Sequence, residues 1–355
     1  MAKIVAVARD IMSARNMLPV IKMLLGTGIE ISIIAEGQAI RILEEAGLPL
    51  LAKGDDTLTS FAVSHGDVRS VIQQISQDLI LVGASSPINW EQELGVCAQA
   101  MGIPVVAFGD VWGAMSRFRP PFVPDLALVI DEYEAARVVA EGRARHARVI
   151  GDIASLGGAS TQPSMSEEAG RLSALNKTYS TILVVPDSTD NALEVVEFIS
   201  KSIRFTTDPD SFVVIPRLIH PKLAHEPGTA AIIERANDLL SGIHVEQFDG
   251  LPTDVIAAMA GYTATCLSTP LRYALHHGRR AISVHGPLSL ALLAKETGAD
   301  NFPLLSNGAV AVMTKPVAIT SFDWEKIDRS AGEWARGSKF NPENAVAALR
   351  EFNLI

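Results

Sequence analysis

The stretch DLILVGASSPINWEQELGVCAQAMGIPVVAFGD (78–110) decides the fold class, because it contains one complete strand–helix–strand unit. An apolar run (78–84) is followed by a polar turn, a segment with helical periodicity and a second apolar run (103–109). Gly102 stands between helix and strand, where a left-handed C-cap is expected. Both apolar runs are nearly continuous, which is typical of parallel strands covered on both faces.

The same alternation extends along the chain in both directions. Further strands are predicted at KIVAVA (3–8), IEISIIA (29–35), LALVI (126–130) and ARVIG (147–151). A stretch rich in Gly, Ser and Pro (151–170) interrupts the pattern, which resumes at TILVVPDS (181–188) and continues through FPLLS (302–306). Because repeated βαβ units with right-handed crossovers form doubly wound sheets, the sequence predicts an α/β protein with two Rossmann-like domains facing a cleft.

The interruption sets the expected domain bounds. We predict an N-terminal domain over 1–160, a C-terminal domain over 175–335 and a closing helical segment over 336–355 that packs back on the N-terminal domain. Within that segment, Asn341 is a suitable N-cap and Pro342 suits the first helical position.

Composition narrows the class of protein. The chain has 355 residues, 20% charged residues and a formal net charge of −10, which argues against a nucleic-acid or anionic-membrane surface. Only Cys97 and Cys266 are present, so neither a disulfide framework nor a cysteine zinc site is expected. The N-terminus reads as a strand rather than a signal peptide, and no apolar run approaches the roughly 20 residues of a membrane span. We therefore expect a cytoplasmic protein.

Ligands of open α/β sheets bind beyond the carboxyl ends of the strands, so the residues after each strand are the candidates. In CLSTPLRYALHHG (266–278), Ser268 and Thr269 open a helix, and free backbone N–H groups beyond Cys266 would form a phosphate site. The structural alternative is that one of these hydroxyls only caps the helix. Ser188 ends the first strand segment of the second half and is a further phosphate-binding candidate.

Two more segments of the second half carry polar groups after a strand. Arg217, His220 and Lys222 could neutralise phosphates, or could belong to a solvated loop. His285 could act as an acid or base, and Gly286 would let a ligand approach the backbone closely. The alternative for His285 is a structural histidine.

The first half offers candidates for the other substrate. Asp110 directly follows a buried strand and is our candidate base. Arg9, Ser85 and Arg117 also follow strands, and Trp112 could stack on a sugar. A capping aspartate beside a packed tryptophan is the structural alternative.

Several common motifs are missing. The loop after the first strand reads ARDIMSA, without G-x-G-x-x-G, and the sequence has no P-loop pattern, which disfavours NAD dehydrogenases and P-loop NTPases. HExxH and G-x-S-x-G are also absent, which disfavours zincins and α/β-hydrolases.

Taken together and in order, these segments resemble the GT-B glycosyltransferases and the related UDP-N-acetylglucosamine 2-epimerases, most closely GT-B-like proteins of bacterial polysaccharide biosynthesis. The resemblance rests on Gly83, Ser85, the Gly-Ile-Pro at 102–104, the Asp-x-Trp at 110–112 and the Arg-Phe at 117–118. In the second half it rests on the His-Pro pair at 220–221 and the Ser-Thr pair at 268–269.

The sequence also departs from that pattern. The helix after the Ser-Thr pair reads LRYA, with Arg272 and Tyr273 where the family has a ribose-binding acid. Val111 stands before Trp112 in place of the usual histidine, and the epimerases' His-Val-Glu-Ala-Gly signature is absent.

The resemblance implies a glycosyltransferase that moves a sugar from a nucleotide-diphosphate donor in the cleft to an acceptor hydroxyl. It implies a UDP-sugar donor on the C-terminal domain, an acceptor on the N-terminal domain and no obligatory metal. Two alternatives stay open: an enzyme resembling the 2-epimerases, and a GT-B binding protein without turnover. The sequence leaves the oligomeric state open, a homodimer included.

Overall fold

The computed structural model describes residues 2–50, 52–54, 77–85, 90–119, 122–156, 167–219, 228–267, 269–297 and 303–355. The chain forms two compact units. Unit 1 comprises Met1–Ile153 together with Ser338–Ile355, and unit 2 comprises Ala154–Gly337. Each unit contains one sheet whose described strands all pair in parallel, so the predicted α/β class with two Rossmann-like sheets is confirmed.

The sheet of unit 1 has seven strands among the described residues, in the order β3-β2-β1-β4-β5-β6-β7. The strands are β1 (Lys3–Ala8), β2 (Glu30–Glu36), β3 (Ala52–Gly54), β4 (Leu79–Gly83), β5 (Val105–Phe108), β6 (Leu126–Val129) and β7 (His146–Val149). The helices are α1 (Ile11–Gly26), α2 (Gln38–Glu45), α3 (Trp90–Ala100), α4 (Glu132–Ala140) and, from the chain's end, α13 (Pro342–Glu351). The strand order reverses between β1 and β4, which is where such sheets bind ligands.

The sheet of unit 2 repeats this order with six described strands, β10-β9-β8-β11-β12-β13. They are β8 (Ser180–Val184), β9 (Phe212–Pro216), β10 (His244–Val245), β11 (Tyr262–Thr265), β12 (Arg280–Val284) and β13 (Ala311–Met313). The helices are α5 (Glu167–Thr178), α6 (Ala192–Arg204), α7 (Thr229–Leu239), α8 (Thr253–Met259), α9 (Thr269–His276), α10 (Pro287–Thr297), α11 (Pro303–Ser306) and α12 (Trp324–Gly337). Here the order reverses between β8 and β11.

Alternate residues of the central strands bury opposite faces of the sheet. In β8, Ile182 and Val184 pack in a cluster with Val195 of α6, whereas Leu183 packs in a second cluster with Ile256 of α8. Helices therefore cover both faces, and this explains why the strands read as continuous apolar runs.

Two elements differ from the sequence-based expectation. FPLLS continued the alternation as an apolar run, but residues 303–306 form the short helix α11, and the last strand is Ala311–Met313. Strand β3 was not predicted because its three residues, AKG, carry neither an apolar run nor an alternation.

The C-terminal segment completes unit 1. Asn341 caps α13 by accepting the Glu343 N–H at 2.9 Å, as predicted. The Asp152 N–H donates to the Ser338 carbonyl at 2.7 Å, and Arg148 forms an ion pair with Glu351. Because α13 contacts α1 and β7, it covers part of the first sheet.

In the part of the chain described above, no helix combines the length and the hydropathy that a membrane crossing requires.

Where the C-terminal segment packs against residue 151, the backbone has room only for glycine. Gly151 has a φ of +87°, and a Cβ there would overlap Lys339 and lie 2.6 Å from the Phe340 Cα. Gly142 also has a positive φ, +67°, but nothing lies within 4 Å of its Cβ position. We expect Gly142→Ala to cost about 1–2 kcal/mol from backbone strain alone, and Gly151→Ala to cost about 1–3 kcal/mol more from overlap. Urea denaturation of both variants measures the difference, and equal costs would contradict this packing.

Candidate functional site

The reversal point of unit 1 is built around the N-terminus of α1. Asp10 follows β1 and caps α1 by accepting the Ser13 N–H at 2.7 Å. Gly83 ends β4, and a Cβ on it would overlap the Ser13 side chain. The missing side chain therefore brings the end of β4 directly against the first turn of α1.

A chain of buried side chains runs inward from this contact. The Ser13 and Ser85 hydroxyl oxygens are 3.1 Å apart, and the Ser85 hydroxyl bonds to the Glu91 carboxyl of α3. Glu91 is fully buried, and its Oε2 has no hydrogen-bond partner among the described residues. A buried carboxylate oxygen without a partner is costly, so this environment favours the neutral acid.

The surroundings of Glu91 together raise the pKa of its carboxyl group. The pKa of Glu91 is raised from 4.5 to about 8, mainly by burial; Asp10 and Glu36 contribute in the same direction, and the Ser85 hydrogen bond and Arg9 oppose the shift. Arg9 also faces Glu36, with its Nε 3.5 Å from Oε2. Glu91 is thus an acid that holds its proton at neutral pH.

The predicted base, Asp110, lies at the same edge of the sheet, after β5. Arg117 Nη1 lies 3.5 Å from the Asp110 Oδ1 and donates to the Ala84 carbonyl at 2.5 Å. Arg117 therefore links the residues that follow β4 and β5, and it lies beside the predicted base Asp110.

Two predicted sugar-binding residues are less accessible than expected. Trp112 is only 3% exposed and donates its indole N–H to Asp131 at 2.8 Å, so the structural alternative of a packed tryptophan describes it better. Ser85 is buried between Ser13 and Glu91 rather than open to a ligand. Arg9 and Arg117 keep partly exposed side chains.

At the reversal point of unit 2, the backbone donors expected to be free are occupied. The Asp187 carboxylate, in the loop after β8, accepts the Cys266 N–H at 2.8 Å and the Leu267 N–H at 2.9 Å. It also accepts the Thr265 hydroxyl at 2.7 Å. The expectation of free N–H groups beyond Cys266 is therefore wrong for these two groups.

The helix start after β12 is occupied in the same way. The Glu194 carboxylate of α6 accepts the Leu288 N–H at 2.9 Å and the Ser289 N–H at 2.8 Å, at the N-terminus of α10. A Cβ on Gly286 would overlap this carboxylate. Gly286 therefore lets the Glu194 carboxylate approach the backbone closely, and its role in admitting a ligand stays a prediction.

His285 has a defined tautomer. The Ser283 hydroxyl donates to the Cys266 carbonyl at 2.6 Å, so the Nε2 of His285, at 2.9 Å, must donate to the Ser283 oxygen. Nδ1 is then the acceptor. Burial lowers the pKa of His285, which keeps the ring neutral at pH 7 and able to accept a proton at Nδ1.

The remaining phosphate-binding candidates have local partners. Arg217 bonds to the Phe248 and Leu251 carbonyls and pairs with Asp249 at 3.1 Å. The Thr269 hydroxyl accepts from Arg272 at 3.3 Å.

Ser188 stabilises its own loop, because its oxygen accepts the Asp190 N–H at 3.2 Å. His220, Lys222 and Ser268 lie outside the described residues.

Cys266 connects the donors held by Asp187 with the start of α10, through its N–H and its thiol. Burial raises the pKa of its thiol, which remains protonated and donates to the Ser289 carbonyl at 3.3 Å. The described residues contain no group of three or more His, Cys, Asp or Glu placed to hold a metal ion.

Sequence reasoning missed Glu91, Asp187 and Glu194. Asp187 carried the same signal as Asp110, an acid directly after an apolar run, and could have been found by it. Glu91 and Glu194 lie in the first turns of helices, where acidic residues are common because they favour the helix dipole.

No protein-family model matches the sequence, and no curated protein matches it. Solved structures do match over the whole length. MnaA of S. aureus, in a co-structure with UDP, gives a TM-score of 0.69 at 14% identity, covering 100% of this chain and 98% of that one. The UDP-GlcNAc 2-epimerase of Neisseria meningitidis, bound to UDP-GlcNAc, gives 0.60 at 14% identity, with 99% of each chain covered.

The glycosyltransferase SnogD of Streptomyces nogalater also gives 0.60 at 14% identity, with 99% of each chain covered. At such identities the similarity establishes the fold. The chain has the GT-B-like fold, with two Rossmann-like domains, that these epimerases and glycosyltransferases share.

Proposed function

We propose that this protein is an enzyme that handles a UDP-sugar and transfers the sugar to an acceptor hydroxyl. Unit 2 would bind the nucleotide part, and unit 1 would bind the acceptor. The observation that carries the proposal is the pair of Asp110 and Arg117 after β5, in which the Arg117 Nη1 lies 3.5 Å from the Asp110 Oδ1 and also donates to the Ala84 carbonyl after β4.

The fold supports the substrate class by analogy. Proteins of the same fold were solved with UDP and with UDP-GlcNAc, and ligands of doubly wound sheets bind where the strand order reverses. Fold alone does not fix a reaction, so the choice of sugar transfer rests on the side chains.

The side chains suit general base catalysis without a metal. Asp110 is the candidate base for the acceptor hydroxyl, and its pairing with Arg117 fixes the carboxylate in place. His285, neutral and with Nδ1 as an acceptor, is a second acid–base group in unit 2. Backbone donors of unit 2 would stabilise the leaving diphosphate once Asp187 releases them.

An epimerase-like reaction is the second candidate. It is favoured by the epimerases among the matching structures, which cover this chain as fully as the glycosyltransferase does. Epimerisation needs no acceptor, so the two reactions differ in their products.

Product analysis separates the candidates. We expect the protein, incubated with UDP-GlcNAc and other UDP-sugars, to release UDP only when an acceptor is present. NMR of the sugar detects inversion at C2 in the absence of an acceptor, which would favour the epimerase. Binding of a UDP-sugar, measured as a thermal shift, without release or inversion would identify a binding protein, and no shift with any nucleotide would contradict the proposal.

The buried acid predicts a pH-dependent stability. The pKa of Glu91 is about 8 in the folded protein against 4.5 as its ordinary value, so between these pH values the folded state binds a proton that the unfolded state has lost. Stability from this group therefore falls as pH rises through the window, by at most about 1.4 kcal/mol per pH unit. Glu91→Gln removes the titration, and we expect its free energy of unfolding relative to the wild type to increase from pH 5 to pH 8.5.

Urea denaturation at several pH values measures this difference. Glu93→Gln is the matched control, because Glu93 lies on the same helix and is not fully buried. A Glu91→Gln difference that stays constant with pH, or that Glu93→Gln reproduces, would contradict a buried neutral acid.

The proposed base predicts a separation of turnover from binding. Asp110→Asn keeps the shape of the side chain but removes the proton acceptor, so kcat should fall by about 10²-fold or more. The Kd of the nucleotide should change by less than about twofold, since the acceptor side binds no phosphate in this proposal. Asp78→Asn is the control, because Asp78 lies at the amino end of β4, where it accepts the Lys3 N–H. Equal losses of turnover and binding in Asp110→Asn would make Asp110 a structural residue.

A further inference from the structure

The loop after β8 places the Asp187 carboxylate on backbone donors at the end of β11. Both oxygens of Asp187 are used: Oδ2 accepts from Thr265 and the Cys266 N–H, and Oδ1 accepts from the Leu267 N–H. Backbone N–H pairs at a strand end before a helix are the donors that phosphates commonly use. A phosphate cannot use the Cys266 and Leu267 donors while Asp187 holds them.

The loop that carries Asp187 is held in shape by its own bonds. The Ser188 N–H donates to the Asn191 Oδ1 at 3.1 Å, and Asn191 in turn donates to the Ser289 hydroxyl at 3.2 Å. Asp187 is therefore presented to β11 by a preformed turn.

Glu194 adds a second carboxylate to the same edge. It occupies the start of α10, is 9% exposed and lies directly against Gly286. Asp187 is more exposed than Glu194 and lies in a loop rather than a helix, so it is the carboxylate that a ligand could displace.

The Arg217 guanidinium, directly after β9, does not offset these charges for a ligand. The Arg217 side chain donates to two backbone carbonyls and forms an ion pair with Asp249. The Cys266 and Leu267 donors that a diphosphate would need are held by a carboxylate, and like charges at close range oppose binding.

We propose that Asp187 determines the ligand specificity of unit 2: it occupies the diphosphate position as an internal anion, and a nucleoside diphosphate binds only by displacing it. The proposal rests on the proposed function, because it assumes that unit 2 binds the nucleotide. It predicts that Asp187 weakens the binding of the ligand's phosphates in the wild-type protein and leaves the binding of the nucleoside part unaffected.

Calorimetric titration of the full chain with UDP and with uridine tests this. In Asp187→Asn the repelling charge is lost and the bonds to the backbone weaken, so the Kd for UDP should fall by about tenfold or more. Uridine has no phosphate, and its affinity should be unchanged. Asp190→Asn is the matched control, since Asp190 is an exposed carboxylate of the same loop whose backbone, not its side chain, is bonded to Ser188.

Thr265→Val provides a variant that keeps the charge. Thr265 is fully buried, valine has a similar shape, and the substitution removes one of the three donors that hold Asp187. We expect UDP affinity to rise about threefold, less than in Asp187→Asn. If Asp187→Asn does not fold, this variant tests the role of Asp187 in its place.

The outcomes separate this inference from the proposed function. Tighter UDP binding by Asp187→Asn supports both, even if the wild type binds too weakly to measure. UDP affinity that is unchanged or weaker in Asp187→Asn, with measurable wild-type binding, overturns the role of Asp187 and leaves the proposed function standing. An equal gain for uridine, or for Asp190→Asn, also overturns it, and no UDP binding by any variant overturns both.

Discussion

Parallel strands that are buried on both faces end together at one edge of the sheet, and their last polar groups must find partners away from bulk water. The two units meet this requirement with different chemistry. In unit 1, the hydroxyls of Ser13 and Ser85 and the proton-bearing carboxyl of Glu91 bond to one another beyond the ends of β1 and β4. In unit 2, Asp187 and Glu194 provide acceptors for backbone donors. The acid–base role proposed for unit 1 and the specificity proposed for unit 2 both depend on these polar partners.

The architecture was largely predictable because it depends on local patterns. The apolar runs that became β1, β4 and β5 bury both faces, so they lack alternation and stand out in the sequence. Short edge elements are different. β3 and β13 have three residues each, too few to show a period, and the context of the sheet rather than propensity makes them strands.

The candidate site was predictable in position more than in detail. Asp110 and Arg117 follow strands, and the structure brings them to the expected edge. The pairing of Asp187 with Cys266 joins residues 79 positions apart, and nothing local to either one reveals it. The same applies to Trp112, whose burial depends on Asp131 and on the packing of unit 1.

The return of the chain at Ser338 makes unit 1 discontinuous, since residues 154–337 form unit 2 between its two pieces. On a ribosome the first 153 residues emerge long before helix α13, the element that covers α1 and β7. At about 5–20 residues per second, unit 2 takes about 10–40 s to synthesise. The first sheet therefore waits, with one surface uncovered, while unit 2 is already free to fold. During this interval the uncovered surface carries the aggregation risk that is general to incompletely folded chains.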